Sequence, residues 1–229
     1  MSNEVLLIIS LFITYSMVIV FYKLLGKTGL YVWTAIATIA ANIEVLILVN
    51  AFGMEQTLGN ILFASTFLVT DILSEIYGKK VANKAVKVGI ITSLSFVVIS
   101  QSWLLYTPNS NDFIMPHIQN VFSSTPRTLL VGILVYAIAQ TFDVWLYHAV
   151  WEKTDKFFAN HSKGLWIRNN CSTLISQLIN TFLFSFGAFY GIHDIPTVFA
   201  IMFSSYIIYV ITSILDTPFV YLARKLKHE

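Results

Sequence analysis

The chain has 229 residues, of which 56% are hydrophobic and only 11% charged, with a formal net charge of +2. Soluble domains carry about 25% charged residues, so this composition argues against a water-soluble fold, and the near-balance of charge argues against a nucleic-acid partner. The single cysteine, Cys171, excludes an internal disulfide and any cysteine-based metal cluster.

A membrane-spanning helix needs roughly 20 mostly apolar residues. Seven stretches qualify: about 5–25, 29–50, 57–77, 82–105, 128–150, 169–190 and 196–223. The first is long enough to remain as a span, and Met1–Glu4 lack the basic start of a cleavable signal. The second carries Thr34, Thr38 and Asn42 on one face, with Asn42 near its centre. Glu44 projects about 200° away from Asn42 at 100° per residue, so the two cannot serve one wall. In the third, Asn60, Asp71 and Glu75 form one stripe, and the two acids, four apart, project the same way. Ser124-Thr125-Pro126 offers cap residues and then a first-turn proline for the fifth helix, and Asp194-Ile195-Pro196 does the same for the last. Arg127 lies in the first turn of the fifth helix, the unfavourable end of its dipole, which hints at an acidic partner or a ligand role unless it is an ordinary interfacial arginine. Tyr136, Gln140, Asp143 and Tyr147 follow at spacings of 4, 3 and 4. The sixth helix aligns Asn169, Thr173, Gln177, Asn180 or Thr181, and Phe184, while Ser172 and Ser176 read as packing residues. The last aligns Ser205, Tyr209, Thr212 and Asp216, followed by Pro218, which removes a backbone bond and can kink or break a helix.

The connections 106–127 and 151–168 are too short to hold a core of their own. The expectation is therefore an all-α integral membrane fold, one polytopic bundle of about seven transmembrane helices. Placing the N-terminus outside puts every Lys and Arg except Arg127 in inner segments, from Lys23 and Lys27 through Lys79, Lys80, Lys84 and Lys87 to Arg224, Lys225 and Lys227. The positive-inside rule then sets the N-terminus outside and the C-terminus in the cytoplasm, in a multi-pass protein of the cell membrane.

An acid at a helix centre costs about 2.5–3.5 kcal/mol on insertion scales, so a chain that retains several must hide them in the bundle. Bland alternatives stand beside the functional one. Glu75 can be neutralised by Lys79 and Lys80, Asp216 can reach Arg224 or Lys225, and Gln140 and Asp143 can make a purely structural interhelical bond. Such bonds average well under 2 kcal/mol, which explains a mid-membrane Asp143 poorly. The histidines, His117, His148, His161, His193 and His228, form no metal motif, and no H-E-x-x-H, G-x-S-x-G or P-loop occurs. No enzyme activity, cofactor or metal is expected. Together the stripes offer carboxylates, carboxamides, hydroxyls and aromatic rings, a set that suits a planar, purine-like small molecule with a hydrogen-bond-donating edge.

The stretch Phe67-Leu68-Val69-Thr70-Asp71-Ile72-Leu73-Ser74-Glu75-Ile76-Tyr77-Gly78 resembles the signature of the queuosine precursor transporters, a family grouped with vitamin uptake proteins. Further blocks agree in order and spacing: Arg127, Tyr136, Gln140 and Asp143; Trp166-Ile167-Arg168-Asn169, Ser172-Thr173, Gln177 and Thr181; and Asp216-Thr217-Pro218-Phe219. The resemblance runs from about residue 30 to residue 222. It implies import of 7-deazaguanine bases such as preQ0, preQ1 or queuine, precursors of a modified tRNA base. It also implies a six-helix core over 29–229, with 1–28 as an extra N-terminal helix. Asn180 departs from the family pattern, where an acid is common.

The substrate-binding residues expected on this reading are Asn42, Asp71, Glu75, Arg127, Tyr136, Gln140, Asp143, Gln177, Asn180, Tyr209 and Asp216. Asp71, Glu75 and Asp143 would accept hydrogen bonds from the base edge, Gln140, Gln177 and Asn180 would complete the set, and Tyr136 and Tyr209 would stack on the base or close the site. Asp143 is the first candidate for proton coupling, because burial penalises its charged form. Two other classes stay open: a substrate-binding membrane subunit of an energy-coupling vitamin importer, which needs an energising partner, and a structural protein whose polar residues only join helices. A homodimer is compatible with any of them.

Overall fold

The structure, a computed structural model, describes residues 1–123, 126–158 and 163–226. The proposed cap residues Ser124 and Thr125, together with His161, Lys227 and His228, lie outside the described residues. The elements, in chain order, are α1 (Asn3–Glu44), β1 (Leu48–Ala51), β2 (Met54–Thr57), α2 (Asn60–Tyr77), α3 (Lys79–Trp103), α4 (Met115–Phe122), α5 (Pro126–Phe158), α6 (Leu165–Phe189) and α7 (Ile195–Lys225). Six of these helices are long and apolar enough to cross a membrane.

A straight α1 of 42 residues would be about 63 Å long at 1.5 Å per residue, twice the roughly 30 Å of a bilayer core. It is not straight. Gly26 takes φ 57° and ψ −142°, a region that is essentially glycine-only, and the chain reverses there. The two limbs, 3–25 and 27–44, lie side by side. A Cβ on Gly29 would stand 2.0 Å from the carbonyl oxygen of Phe21, and the Phe21 and Trp33 rings meet edge-on at 5.5 Å. The start of the first limb reaches the chain beyond the second: Asn3 Nδ2 donates to Asn50 O at 2.9 Å, and Phe52 N donates to Glu4 Oε1 at 3.1 Å. The hairpin limbs with α2, α3, α5, α6 and α7 thus supply the seven expected crossings.

Helix limits differ from the apolar runs where β-branched residues cluster. The second span was expected to reach residue 50, but α1 ends at Glu44. Leu48–Ala51 pairs instead with Met54–Thr57 as an antiparallel hairpin, turned by Phe52 and Gly53, both with positive φ, as a two-residue hairpin turn requires. Asn42 therefore sits in the last turn of its limb, not near mid-span. α5 runs on to Phe158 and absorbs much of the expected inner loop, and α7 continues through Pro218 without ending there. Asp194 occupies the N-cap of α7 without a side-chain cap bond, and proline stands in the first turn as expected. The connection between α3 and α5 is tied down by α4, whose Phe122 packs on Phe96 and Trp103 at centroid distances of 6.0 and 5.7 Å.

Polarity is arranged as a bilayer demands. Large apolar side chains such as Ile13, Ile91, Val98, Leu134, Phe182 and Ile214 are exposed on the perimeter. Asp71, Gln140, Asp143, Arg168, Asn169, Gln177 and Asp216 are buried in the interior. With hydrocarbon outside, the polar groups find partners only among the helices.

Candidate functional site

Three layers of polar contacts stack along the bundle axis. The first is a cavity in the half that carries the N-terminus and the β-hairpin. Its volume is about 80 Å³, several times the roughly 10–15 Å³ that one water needs. Its wall includes Asn42, Asn60, Phe63, Thr66, Ser93, Tyr136, Asn180, Thr181, Phe184, Ser205 and Tyr209, and it extends to Val45, Thr128 and Phe189 at the helix ends. The lining carries hydroxyls, carboxamides and aromatic rings and, among the described residues, no charged side chain.

Each wall residue is positioned by its helix. Asn60 opens α2; its Oδ1 accepts from the Tyr209 hydroxyl at 3.1 Å and from Thr57 Oγ1 at 3.3 Å. Phe63, one turn on, meets the rings of Tyr136 and Tyr209, each at 6.0 Å. Tyr136 has room only because residue 89 is glycine: a Cβ there would stand 2.2 Å from the Tyr136 hydroxyl oxygen. Asn42 donates to Thr38 O at 2.7 Å and approaches Ser93 Oγ at 3.4 Å. Asn180 Nδ2 donates to Gln177 Oε1 at 3.2 Å.

The second layer lies beneath the cavity floor. Gln140 Nε2 donates to Thr66 Oγ1 at 2.7 Å, and Thr70 Oγ1 donates to Gln140 Oε1 at 3.1 Å. Asp71 Oδ2 accepts from Thr173 at 3.1 Å, and Asp216 Oδ1 accepts from Asn169 Nδ2 at 2.7 Å. Asp143 faces Ser172 and Ser176. Those hydroxyls donate to the carbonyls of Asn169 and Ser172 on their own helix, so both Asp143 carboxylate oxygens lack a hydrogen-bond donor among the described residues. Asp71, Asp143 and Asp216 are close enough to interact electrostatically.

The third layer closes the opposite end. The fully buried Arg168 guanidinium donates from Nε to Glu75 Oε2 at 2.9 Å and from Nη2 to Glu75 Oε1 at 2.6 Å, while Nη1 reaches Lys163 O at 3.0 Å. Its Cζ lies over the Trp151 ring, 4.2 Å from the centroid. Tyr147 donates to Glu75 Oε2 at 2.8 Å, and Arg224 stands 3.5 Å from Oε1.

Of the expected site residues, Asn42, Tyr136, Asn180 and Tyr209 line the cavity. Gln140 and Gln177 bond to residues of its wall. Asp71, Asp143 and Asp216 lie in the layer below. Glu75 is engaged by Arg168, not by Lys79 or Lys80, because α6 delivers the planar guanidinium to the end of α2. Asp216 turns to Asn169 and leaves Arg224 to Glu75. Among the described residues Arg127 meets neither an acid nor the cavity: it donates to Gly187 O at 2.9 Å and Tyr190 O at 2.8 Å. These are carbonyls at the C-terminal end of α6, where a cation is favourable. Thr66, Phe63 and Ser93 escaped the sequence reading, because a threonine, a phenylalanine or a serine in a span reads as packing. Arg168 entered the sequence reading as an inner cation and within the Trp166–Asn169 block of the resemblance, without a partner assigned to it.

A family model described as "Putative vitamin uptake transporter" matches residues 57–223. A protein of Bacillus subtilis named "Probable queuosine precursor transporter" is 37% identical over 226 residues, covering 99% of this chain and 96% of that protein. That alignment takes in the first limb of α1 as well as the rest of the bundle. No solved structure matches the chain.

Proposed function

The chain belongs to the vitamin uptake transporter family that includes the queuosine precursor transporters, and on that premise we propose that it imports a 7-deazaguanine precursor of queuosine across the cell membrane. The observation that carries this reading is the uncharged, carboxamide- and aromatic-lined cavity at one face, backed by a sealed polar interior. Aromatic faces and amide groups suit a flat, neutral heterocycle. An anionic substrate would need a cation in the wall, and the lining holds none.

The charge distribution supports an outward-facing assignment for this state. Lys79, Lys80, Lys84, Arg168, Arg224 and Lys225 cluster at the end opposite the cavity, the end that the positive-inside rule gives to the cytoplasm. The Glu75–Arg168 layer would be the barrier that opens when the base is released inward. Substrate contacts are proposed for Asn42, Tyr136, Asn180 and Tyr209.

The test is uptake by cells that cannot make queuosine precursors, with and without this protein, at a low concentration of each 7-deazaguanine base. Protein-dependent queuosine in tRNA is the expected result, and the most effective base names the substrate. Absence of queuosine, with the protein inserted in the membrane and the downstream pathway working, overturns the reading.

A further inference from the structure

Two buried polar atoms on the cavity residues have no hydrogen-bond partner among the described residues: Asn60 Nδ2 and the Tyr136 hydroxyl. The Asn60 Oδ1 accepts from Tyr209 and Thr57, and in this arrangement Nδ2 is the amide atom left over. A buried donor left unmade is costly, and a cavity wall is where a ligand can satisfy it. Phe63, flanked by Tyr136 and Tyr209, adds a flat apolar face to the same cavity wall.

We propose that Asn60 is the specificity-determining residue of this cavity, donating from Nδ2 to the exocyclic carbonyl of a 6-oxo base, with the Tyr136 hydroxyl as the second polar contact. The inference rests on the transport reading and refines it. A guanine-type base carries a carbonyl acceptor at that position, whereas an adenine-type base carries an amine donor. An amine set against the Asn60 amide would leave two donors facing each other. A site built to hydrogen-bond one group strongly rejects an analogue that lacks it.

Asn60→Asp makes the sharpest test. The carboxylate keeps an oxygen for Tyr209 and Thr57 and exchanges the donor for an acceptor. An acid in the first turn of α2 is also favourable to the helix dipole. Purified wild-type and variant proteins are titrated with 7-deazaguanine and with 2,6-diamino-7-deazapurine, and binding is read from ligand-induced thermal stabilisation. The wild type is expected to prefer the 6-oxo base, and Asn60→Asp to lower the 6-oxo to 6-amino affinity ratio by at least about tenfold. Asn60→Ala is expected to weaken the 6-oxo base selectively. A ratio unchanged in both variants overturns the role of Asn60 while leaving precursor transport standing. A wild-type protein that binds neither base overturns the substrate reading and this inference with it.

Discussion

At the scale of single residues, burial decides what a charge is for. Glu75 and Arg168 are both inside the protein, and each completes the other through parallel hydrogen bonds. Removing one partner of such a pair strands the other, which costs about 3–5 kcal/mol, whereas replacing both by apolar residues of similar size is often neutral. Arg168→Ala is therefore expected to lower the thermal unfolding midpoint of the purified protein sharply, and Arg168→Met with Glu75→Leu to recover most of the loss. If the pair is also the inward barrier, the double variant will leak substrate in both directions. Gly89 works at the same scale: it has no side chain, and a Cβ there would collide with the Tyr136 ring.

At the scale of elements, the decisive feature is the reversal inside α1. A Cβ on Gly26 would meet the Tyr77 hydroxyl only at 4.0 Å, so space for a Cβ is not the constraint there. The backbone conformation is. An L-residue at φ 57° and ψ −142° costs about 1–3 kcal/mol. Gly26→Ala is expected to reduce thermal stability by that amount, with the loss confined to stability because the cavity lies at the opposite end of the hairpin. The first limb is also fastened to α7, where Tyr15 donates to Thr212 O at 3.2 Å and meets Phe219 edge-on at 5.3 Å.

At the scale of the whole molecule, the three layers form a path from an uncharged cavity, through buried acids, to an ion-paired seal. Asp143 stands in the middle layer, buried and with no donor to either oxygen among the described residues. Such a carboxylate is costly to keep charged, and proton exchange there is our proposal for how the proposed import is driven. Asp143→Asn is then expected to abolish accumulation above the external concentration while substrate still equilibrates across the membrane. Unchanged accumulation against a gradient in that variant removes Asp143 from the coupling role.

The amino-acid sequence by itself determined the number of crossings, the segregation of basic residues to one end and the helix faces that hold polar groups. These depend on local quantities, hydropathy and the helical repeat, which any span displays without its neighbours. Tyr136, Asn180 and Tyr209 were legible for that reason, each as a polar or aromatic residue on a repeating stripe. Which stripes meet, and at what depth, was decided only by the tertiary structure. Asp71 and Glu75 share one helix face, yet packing gave one to Thr173 and the other to Arg168. Arg127 came to rest on the end of α6, and Asn60, a residue of modest appearance in the sequence, came to the cavity wall with its donor unmet. The bilayer supplies no partners to polar groups, so each buried side chain takes whatever the facing helix offers, and that offer is written in the packing of helices far apart in the chain.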